Sequence, residues 1–180
     1  PFIAASIYWD DNGTYFEPFM GSGVVGFNLQ PKKAIFSDTN PYIIQFYKDL
    51  QNKIITPAIV REFLEEETLK LMATPADKNS YYYEVRERFN KTHTSLDFLF
   101  LQRSNFNGMI RFNNQGKYNV PFGRKPERFK KALITKIVNQ VAWAQDLIVN
   151  HDWDFLCIPF VRGLFDDEAK RFYLFRSAIY

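Results

Sequence analysis

The chain has 180 residues, and 23 lysines and arginines against 20 aspartates and glutamates give it a net charge of +3. Hydrophobic residues make up 46% of the chain and aromatic residues 18%, which excludes a low-complexity disordered protein, since such a protein has too little apolar surface to bury. The single cysteine, Cys157, excludes a disulfide framework and a multi-cysteine zinc site. With only two histidines, His93 and His151, far apart in the sequence, no metal site is expected.

Composition and the chain start also bear on location. No uncharged apolar run reaches the roughly 18 residues that a membrane helix needs, so no membrane partner is expected. The chain begins Pro1-Phe2-Ile3, without an initiator methionine or a basic leader, so we expect neither a complete start nor a secretory signal. A reducing, cytoplasmic compartment is the prediction, with one domain or one domain plus a small insert.

The net charge hides a strongly basic segment. Residues 101–131 contain eight lysines and arginines and one acid, Glu127, so this segment carries 8 − 1 = +7 and the remainder 3 − 7 = −4. A basic segment on an acidic body is typical of proteins that bind polyanions. The alternative is a solvated helix-and-loop surface without such a partner.

The N-terminal third predicts a βαβ unit. Asn40 and Pro41 form a helix N-cap with proline at the first helical position, and Asp38 closes the strand before them. A strand, a glycine turn, a helix, a second strand and a second helix in this order indicate an α/β core. The predicted elements are a helix end over 1–9, strands over 14–17 and 34–37, and helices over 24–29 and 41–51.

The next segment changes character and predicts a mostly helical insert over 53–131. Thr56-Pro57 caps its first helix, and Asn114-Gln115-Gly116 is a turn signal between two short strands, which indicates a β-hairpin. The core then resumes, so we expect residues 1–52 and 132–180 to form one domain. The remaining predicted elements are helices over 57–72, 80–90, 95–106 and 129–149, hairpin strands over 109–113 and 117–120, and core strands over 155–157 and 171–175.

The glycine turn is a candidate cofactor site. Gly21-x-Gly23-x-x-Gly26 lies between a strand and a helix, where backbone amides can approach a ligand closely, and Asp38 ends the next strand, where an acid can bind ribose hydroxyls. Glu17-Pro18 precedes the glycines. A carboxylate there offsets the ammonium group of S-adenosylmethionine but repels a pyrophosphate, which favours the methyl donor over a dinucleotide. The alternative is a tight turn without a ligand.

Several motifs carry a family resemblance. Glu17-Pro18-Phe19-x-Gly21-x-Gly23 resembles the first motif of the Dam-type DNA adenine methylases, and residues 101–113 and 116–123 resemble the target-recognition region of the same family. Residues 38–41, 81–90 and 96–101 resemble more closely the modification methylase of the EcoRV restriction system. The motifs cover residues 1 to about 160 in the family's order.

The resemblance implies a Rossmann-like, S-adenosylmethionine-dependent methyltransferase core with a partial sheet, and a target-recognition insert that carries the β-hairpin. It implies site-specific methylation of adenine N6 in a short palindrome of double-stranded DNA, by a monomer that flips the target base. The residues that it assigns to the cofactor are Glu17, Pro18, Phe19, Gly21, Gly23 and Asp38. Those that it assigns to DNA are Arg103, Phe106, Asn107, Met109, Arg111, Asn113, Pro121 and Arg124.

Residue chemistry agrees with these roles. Arginine reads guanine O6 and N7 with two hydrogen bonds, asparagine can pair with adenine, and a two-stranded ribbon fits the major groove. An aromatic ring beside Asn107-Gly108 can fill the stack when a base is extruded. Each residue also has a structural alternative: Phe106 as part of the core, and Asn107 and Asn113 as plain turn residues.

No catalytic residue is assigned, because the family's Asp-Pro-Pro-Tyr loop, which holds the adenine amino group, is absent from the sequence. A shift of one nucleotide in the codons of residues 176–180 can spell that tetrapeptide, so we hypothesise a shifted reading frame, or a sequencing error, that begins between about Phe160 and Lys170. The alternative is ordinary divergence with truncation. The fragment is therefore expected to be poorly stable and to have little activity. The alternatives are a DNA-binding module without catalysis and a dinucleotide-dependent enzyme, which Glu17-Pro18 and the basic hairpin disfavour.

Three further features receive structural interpretations. Tyr81-Tyr82-Tyr83 is expected to be a helix face packed on the core of the insert, and Glu65-Glu66-Glu67 a solvated helix face. Cys157 lies in an apolar strand and is expected to be inert packing.

Overall fold

The computed structural model describes residues 2–158, which form a mixed α/β protein. The predicted strand at 171–175 and the reading-frame hypothesis lie outside these residues. The strands are β1 (Tyr15–Glu17), β2 (Lys33–Asp38) and β3 (Asp152–Cys157). The helices are α1 (Phe2–Ala5), α2 (Val24–Leu29), α3 (Pro41–Gln51), α4 (Pro57–Met72), α5 (Tyr82–Thr92), α6 (Ser95–Ser104) and α7 (Lys131–Asn150), with short 3₁₀ turns η1 (Phe106–Gly108) and η2 (Pro126–Phe129).

Local capping chemistry determines where two helices begin. The Asn40 side chain accepts a hydrogen bond from the amide of Tyr42, and the Thr56 side chain accepts one from the amide of Ile59. Each cap is followed by a proline, whose fixed φ suits the first helical position. The predicted starts and ends of α3 and α4 are confirmed.

The strands form a three-stranded parallel sheet in the order β1-β2-β3. Tyr15 pairs with Ala34, and Ala34 pairs with Trp153 on its other side. Because all three strands are parallel, their carboxyl ends meet at one edge of the sheet, where α/β proteins bind ligands. Glu17 and Asp38 end β1 and β2 at that edge.

The chain divides into two compact units. The first contains the residues up to Ile54 and those from Trp143 onward, and the second contains Ile55–Ala142. The core of the first unit is aromatic: the Phe36 ring lies 5.1 Å from Trp153 and 5.4 Å from Phe155, measured between ring centroids. These side chains are almost fully buried, so each contributes a large apolar area to the core of a small sheet.

The second unit packs α4, α5 and α6 around apolar rings and one ionic cluster. Tyr82 is fully buried and stacks on Phe122, while Tyr81 is 9% exposed, which confirms the expected packing of this helix face. The expectation for the three glutamates is wrong for Glu67. Its side chain is buried and forms ion pairs with Lys70 and Arg88. Lys70 follows it by one helical turn on α4, but Arg88 lies on another helix, so sequence spacing does not reveal that partner.

The structure modifies two other predictions. The hairpin turn forms, but residues 109–120 contain no regular strand, and one isolated bridge joins Phe112 to Tyr118. The Asn113 side chain accepts from the amides of Gln115 and Lys117 and so closes the turn, while backbone hydrogen bonds join Asn113 to Lys117 and Asn119 to Arg111. Cys157 is exposed at the end of β3, beyond the aromatic core, so its assignment to inert packing is wrong.

Residues 2–158 contain neither a membrane-spanning helix nor a candidate metal cluster. Not one of their helices combines the length and the apolar character needed to cross a membrane. Nor do these residues bring three His, Cys, Asp or Glu side chains together in a way that could hold a metal ion.

Candidate functional site

In the first unit, the glycine turn follows β1 and begins α2. Gly21 and Gly23 have φ angles of +49° and +64°, in the left-handed region that side chains avoid. A Cβ at Gly23 would lie 2.7 Å from the Phe27 ring, so no other residue fits there. At Gly21 a Cβ would meet no atom within 4 Å, so the backbone faces open space that a ligand can approach.

Glu17 lies behind this turn with its carboxylate almost enclosed. The side chain is 9% exposed, and its Oε2 accepts hydrogen bonds from the Gly26 amide at 3.0 Å and the Tyr15 hydroxyl at 3.2 Å. Burial raises the pKa of Glu17 to about 7, although both hydrogen bonds favour the charged form. A Cβ at Gly26 would lie 2.3 Å from the Phe36 ring and 2.9 Å from Glu17 Oε2, so only glycine permits this approach.

Asp38 joins the end of β2 to the same turn. Its Oδ2 accepts from the Gly21 amide at 3.0 Å and its Oδ1 accepts from the Asn40 amide at 2.8 Å. The Met20 amide donates to the Ser37 carbonyl at 2.9 Å, which holds the loop against the strand. The carboxylate therefore fixes the turn, and further acceptor positions on each oxygen stay available to a hydroxyl.

Apolar side chains border the turn. Pro18 is buried, whereas Phe19 is 58% exposed and Val24 is 50% exposed. Thus an acid, open glycine backbone and an exposed aromatic ring occur within a few residues at the carboxyl edge of the sheet. This combination suits a ligand with a cationic end and a flat apolar end.

In the second unit, the segment after α6 is exposed over most of residues 106–117. Three of its large apolar side chains are open to solvent: Phe106 (49% exposed), Met109 (42%) and Ile110 (42%). Asn107 and Gly108 both have positive φ, so the chain turns sharply directly after Phe106. Exposed apolar side chains at a tight turn in a basic segment are suited to inserting between bases.

A buried polar pair holds this exposed segment in place. The Asn105 side-chain amide donates to the Met109 carbonyl at 2.6 Å, and the Tyr118 hydroxyl donates to the same carbonyl at 3.2 Å. The Asn105 amide also donates to the Tyr118 hydroxyl, and both side chains are almost fully buried. The tip is thus exposed while its base is anchored.

Arg111 is exposed, and two hydrogen bonds fix the orientation of its guanidinium group. Its Nε donates to Asn119 Oδ1 at 2.8 Å and its Nη2 donates to the Asn119 carbonyl at 3.1 Å. This contact fixes one edge of the guanidinium and leaves Nη1 for another acceptor.

Comparison with known sequences identifies the family. Residues 1–162 match the D12 class N6 adenine-specific DNA methyltransferase family. The chain belongs to this family. Its small parallel sheet is consistent with a methyltransferase fold.

Three relatives of this D12-class chain show how much of the family it covers. It is 36% identical over 121 residues to the type II methyltransferase M.MjaIII of Methanocaldococcus jannaschii, which covers 61% of the chain and 41% of the relative. It is 34% identical over 111 residues to the DNA adenine methylase of Haemophilus influenzae, covering 59% and 37%. It is 35% identical over 112 residues to the DNA adenine methylase of Escherichia coli, covering 60% and 38%. The chain thus spans about two fifths of the length of these relatives.

Within this D12-class chain, the structure gathers the six residues predicted for the cofactor at the carboxyl edge of the sheet. The eight residues predicted for DNA are less uniform. Arg103 is half-buried in the last turn of α6, whereas the other seven are exposed. Those seven are Phe106, Asn107, Met109, Arg111, Asn113, Pro121 and Arg124.

The structural alternatives proposed for individual residues hold at some positions and fail at others. Phe106 does not belong to the core, because nearly half of its surface is exposed. Asn113 does serve as a turn residue through its two side-chain hydrogen bonds. Nothing in the sequence marks Asn105 and Tyr118 as the anchor of the exposed segment, since an Asn and a Tyr this far apart form no recognisable pattern.

Proposed function

We propose that the chain is the donor-binding and target-recognition part of a site-specific DNA adenine-N6 methyltransferase that uses S-adenosylmethionine. The observation that carries this proposal is the buried Glu17 carboxylate behind an open glycine turn, in a chain of the D12 class. Double-stranded DNA is the proposed partner and the cytoplasm the proposed compartment.

The residues of the first unit suit the donor. Glu17 would face its methionine end, the backbone from Gly21 to Gly23 would pass close to it, and Asp38 would accept from its ribose hydroxyls. When bound, the donor supplies an electrophilic methyl group on a sulfonium centre. A negatively charged Glu17 suits its ammonium, whereas a dinucleotide would bring a pyrophosphate toward a carboxylate.

The residues of the second unit suit duplex DNA. Arg111 would read guanine in the major groove, and Phe106 would occupy the space left when the target adenine is flipped. The adenine N6 would then take the methyl group by direct displacement, without a covalent intermediate on the protein. Lysines and arginines of the 101–131 segment would contact phosphates and fix the register.

The target and the nearest counterpart belong to the same proposal. A short palindrome is the proposed site, and the motifs at 38–41, 81–90 and 96–101 support a counterpart like the modification methylase of the EcoRV restriction system. The reading-frame hypothesis for residues 176–180 is tested by the gene: codons that cannot spell Asp-Pro-Pro-Tyr in the shifted frame refute it.

A second candidate is a DNA-binding module without chemistry. The observation in its favour is that the basic segment is present while the Asp-Pro-Pro-Tyr tetrapeptide is absent from the sequence. Binding of the donor separates the two, because a module without chemistry has no need of a donor site.

Arg111 provides the sharpest test of target recognition. The preference is the ratio of affinities for a duplex selected for binding to the wild-type chain and for a scrambled duplex. We expect Arg111→Lys to lower this ratio by about 10-fold or more, because lysine cannot make the paired contact to guanine. Lys117→Gln is the matched control, since it removes an exposed charge from the same segment and should weaken binding to both duplexes alike. Equal preference in wild type and Arg111→Lys would contradict the assignment, and so would a wild-type chain that binds no duplex.

A further inference from the structure

Two arginines of the second unit lie near the end of α6. Arg103 lies in the last turn of the helix, and Arg128 belongs to η2. The Phe129 ring stacks on Phe100 with 4.9 Å between centroids and 20° between planes, which fixes η2 against α6. Arg128 Nη1 donates to the carbonyl of Asn105, at 3.4 Å. Arg128 is therefore tied to the residue two positions after Arg103.

The backbone around this helix end does not satisfy Arg103. The Ser104 hydroxyl donates to the Phe100 carbonyl, the Asn105 amide to the Leu101 carbonyl and the Gly123 amide to the Ser104 carbonyl. Each of these carbonyls already accepts one hydrogen bond, and none of them accepts one from Arg103. Arg103 Nε is buried and has no hydrogen-bond partner.

No carboxylate of the described residues compensates the two charges. Within residues 2–158, every ion pair involves other cations, and neither Arg103 nor Arg128 lies within 4.0 Å of a carboxylate oxygen. Burial lowers the pKa of Arg103, and the nearby charge of Arg128 lowers it further. Arg88, another half-buried arginine of the same unit, has two carboxylate partners.

An unpaired and half-buried guanidinium is unfavourable unless a ligand supplies the missing negative charge. Guanidinium forks bind the oxygens of a phosphate through several hydrogen bonds, and two forks at one place exceed what a single carboxylate needs. The surrounding segment is basic, and its one acid, Glu127, is exposed. These features favour a phosphate group over a carboxylate or an uncharged ligand.

We propose that Arg103 and Arg128 together form a phosphate-binding site at the end of α6. Resting on the proposed function, the ligand is a backbone phosphate of duplex DNA next to the exposed segment that begins at Phe106. Arg128 thereby joins the DNA-contacting residues, and the half-buried Arg103 acquires a role in setting the register rather than in reading a base. The same chemistry would also accept free phosphate.

The test measures duplex affinity by fluorescence anisotropy between about 50 and 200 mM salt for wild type, Arg103→Gln, Arg128→Gln and the double variant. Each variant should lower the salt slope by about 0.9, the value for one phosphate contact, and should weaken a selected and a scrambled duplex equally. The double variant should lose little more than either single one, because both side chains hold the same phosphate. The matched control is Lys136→Gln, an exposed lysine of the same unit, which should leave the slope unchanged.

A measurement of thermal unfolding separates a loss of the phosphate contact from a loss of folding. Because Arg103 lacks a counter-charge, Arg103→Gln should unfold at the wild-type temperature or above it, and a lower midpoint would contradict the proposal. Slopes equal to wild type in all three variants would overturn it, and additive losses would overturn the sharing of one phosphate.

A second arm separates this proposal from the proposed function. Inorganic phosphate is compared with chloride at equal ionic strength in a thermal unfolding assay. If wild type binds no duplex, the proposed function fails. A midpoint that phosphate raises in wild type but not in the double variant would then still support the arginine site, with free phosphate as its ligand. If wild type neither binds a duplex nor gains a higher unfolding midpoint in phosphate, the arginine site itself is refuted.

Discussion

Glu17 gives the first unit a pH response. Its pKa in the folded chain, about 7, lies above its usual value of 4.5 because the side chain is buried. The folded state therefore holds a proton that the unfolded chain has already lost between these two values. The stability from this group is complete below about pH 4.5 and is lost as pH rises through 7.

We predict that Glu17→Gln makes the free energy of unfolding nearly independent of pH over this window. At pH 8 the variant should be more stable than wild type by up to about 3 kcal/mol, because glutamine keeps the acceptor for the Gly26 amide without a buried charge. Urea unfolding at pH 5 and pH 8 measures the effect, with the exposed Glu62→Gln as the control. A wild-type stability that increases from pH 5 to pH 8 relative to Glu17→Gln would contradict it.

The Tyr118 hydroxyl connects a buried side chain to an exposed tip. We predict that Tyr118→Phe lowers stability by about 1 kcal/mol, through the lost hydrogen bond to the Met109 carbonyl. It should also reduce the preference between duplexes more than the affinity for scrambled DNA, since the tip loses its anchor while the basic charges remain.

Tyr47→Phe is the matched control for this change, because it removes a hydroxyl that bonds to the Ser22 carbonyl in the other unit. It should leave the preference between duplexes at the wild-type value. If Tyr118→Phe changes stability but leaves that preference intact, the hydroxyl is structural only and the anchoring role is refuted.

At the scale of elements, an ionic cluster ties together three helices of the second unit. Arg88 on α5 donates to Glu67 on α4 at 2.7 Å and to Asp97 on α6, and the Tyr81 hydroxyl also donates to Glu67. Both carboxylates are at least 97% buried. Burial raises the pKa of Glu67, but the hydrogen bonds from Arg88 and Lys70 outweigh burial, so its pKa lies below the usual value.

Removing Arg88 should therefore lower the stability of the chain severely. We predict that Arg88→Met destabilises the chain by about 3 kcal/mol or more at pH 7, because two buried carboxylates lose their counter-charge. The loss should shrink as the pH falls toward about 5, because without Arg88 the burial of Glu67 raises its pKa and favours its protonated form. Arg61→Met, which removes an exposed pair with Glu65 on α4, should cost no more than about 1 kcal/mol. Denaturant unfolding of both variants measures the difference, and similar losses in the two would refute the role of the cluster.

The same cluster shows which elements the sequence can predict. The starts of α3 and α4 depend on neighbours within three residues, Asn40-Pro41 and Thr56-Pro57, so they are visible in the sequence. Glu67 is misjudged as solvated because its partner Arg88 lies 21 residues away on another helix. The hairpin strands fail for a related reason: residues 109–117 find little to pack against, and Asn113 satisfies the turn by itself.

The candidate sites show the same difference between positions fixed by nearby residues and positions fixed by residues far away in the sequence. The acid, the glycines and Asp38 are recognisable because spacing along one βαβ unit determines where they lie. The proposed shared site of Arg103 and Arg128 depends on η2 packing against α6, a contact between Phe100 and Phe129, 29 positions apart, that no local pattern encodes.

At the scale of the whole molecule, the chain spans about two fifths of the relatives it matches and its sequence contains no Asp-Pro-Pro-Tyr. We predict no methyl transfer by the chain alone in an assay with labelled S-adenosylmethionine and adenine-containing duplexes. The proposed chemistry requires acceptors for the adenine amino group, and that tetrapeptide would provide them. The Escherichia coli DNA adenine methylase under the same conditions is the positive control, and robust turnover by the chain would refute the prediction.

Binding of the donor is independent of turnover, and it tests the central claim most directly. The measurement is the shift in thermal unfolding midpoint with S-adenosylhomocysteine or with NAD, for wild type and Glu17→Gln at pH 8. We predict that S-adenosylhomocysteine raises the wild-type midpoint by several degrees, increasing with the logarithm of the ratio of its concentration to Kd, and raises that of Glu17→Gln much less. NAD should have no effect. A shift produced by NAD, or none by S-adenosylhomocysteine, would contradict the account.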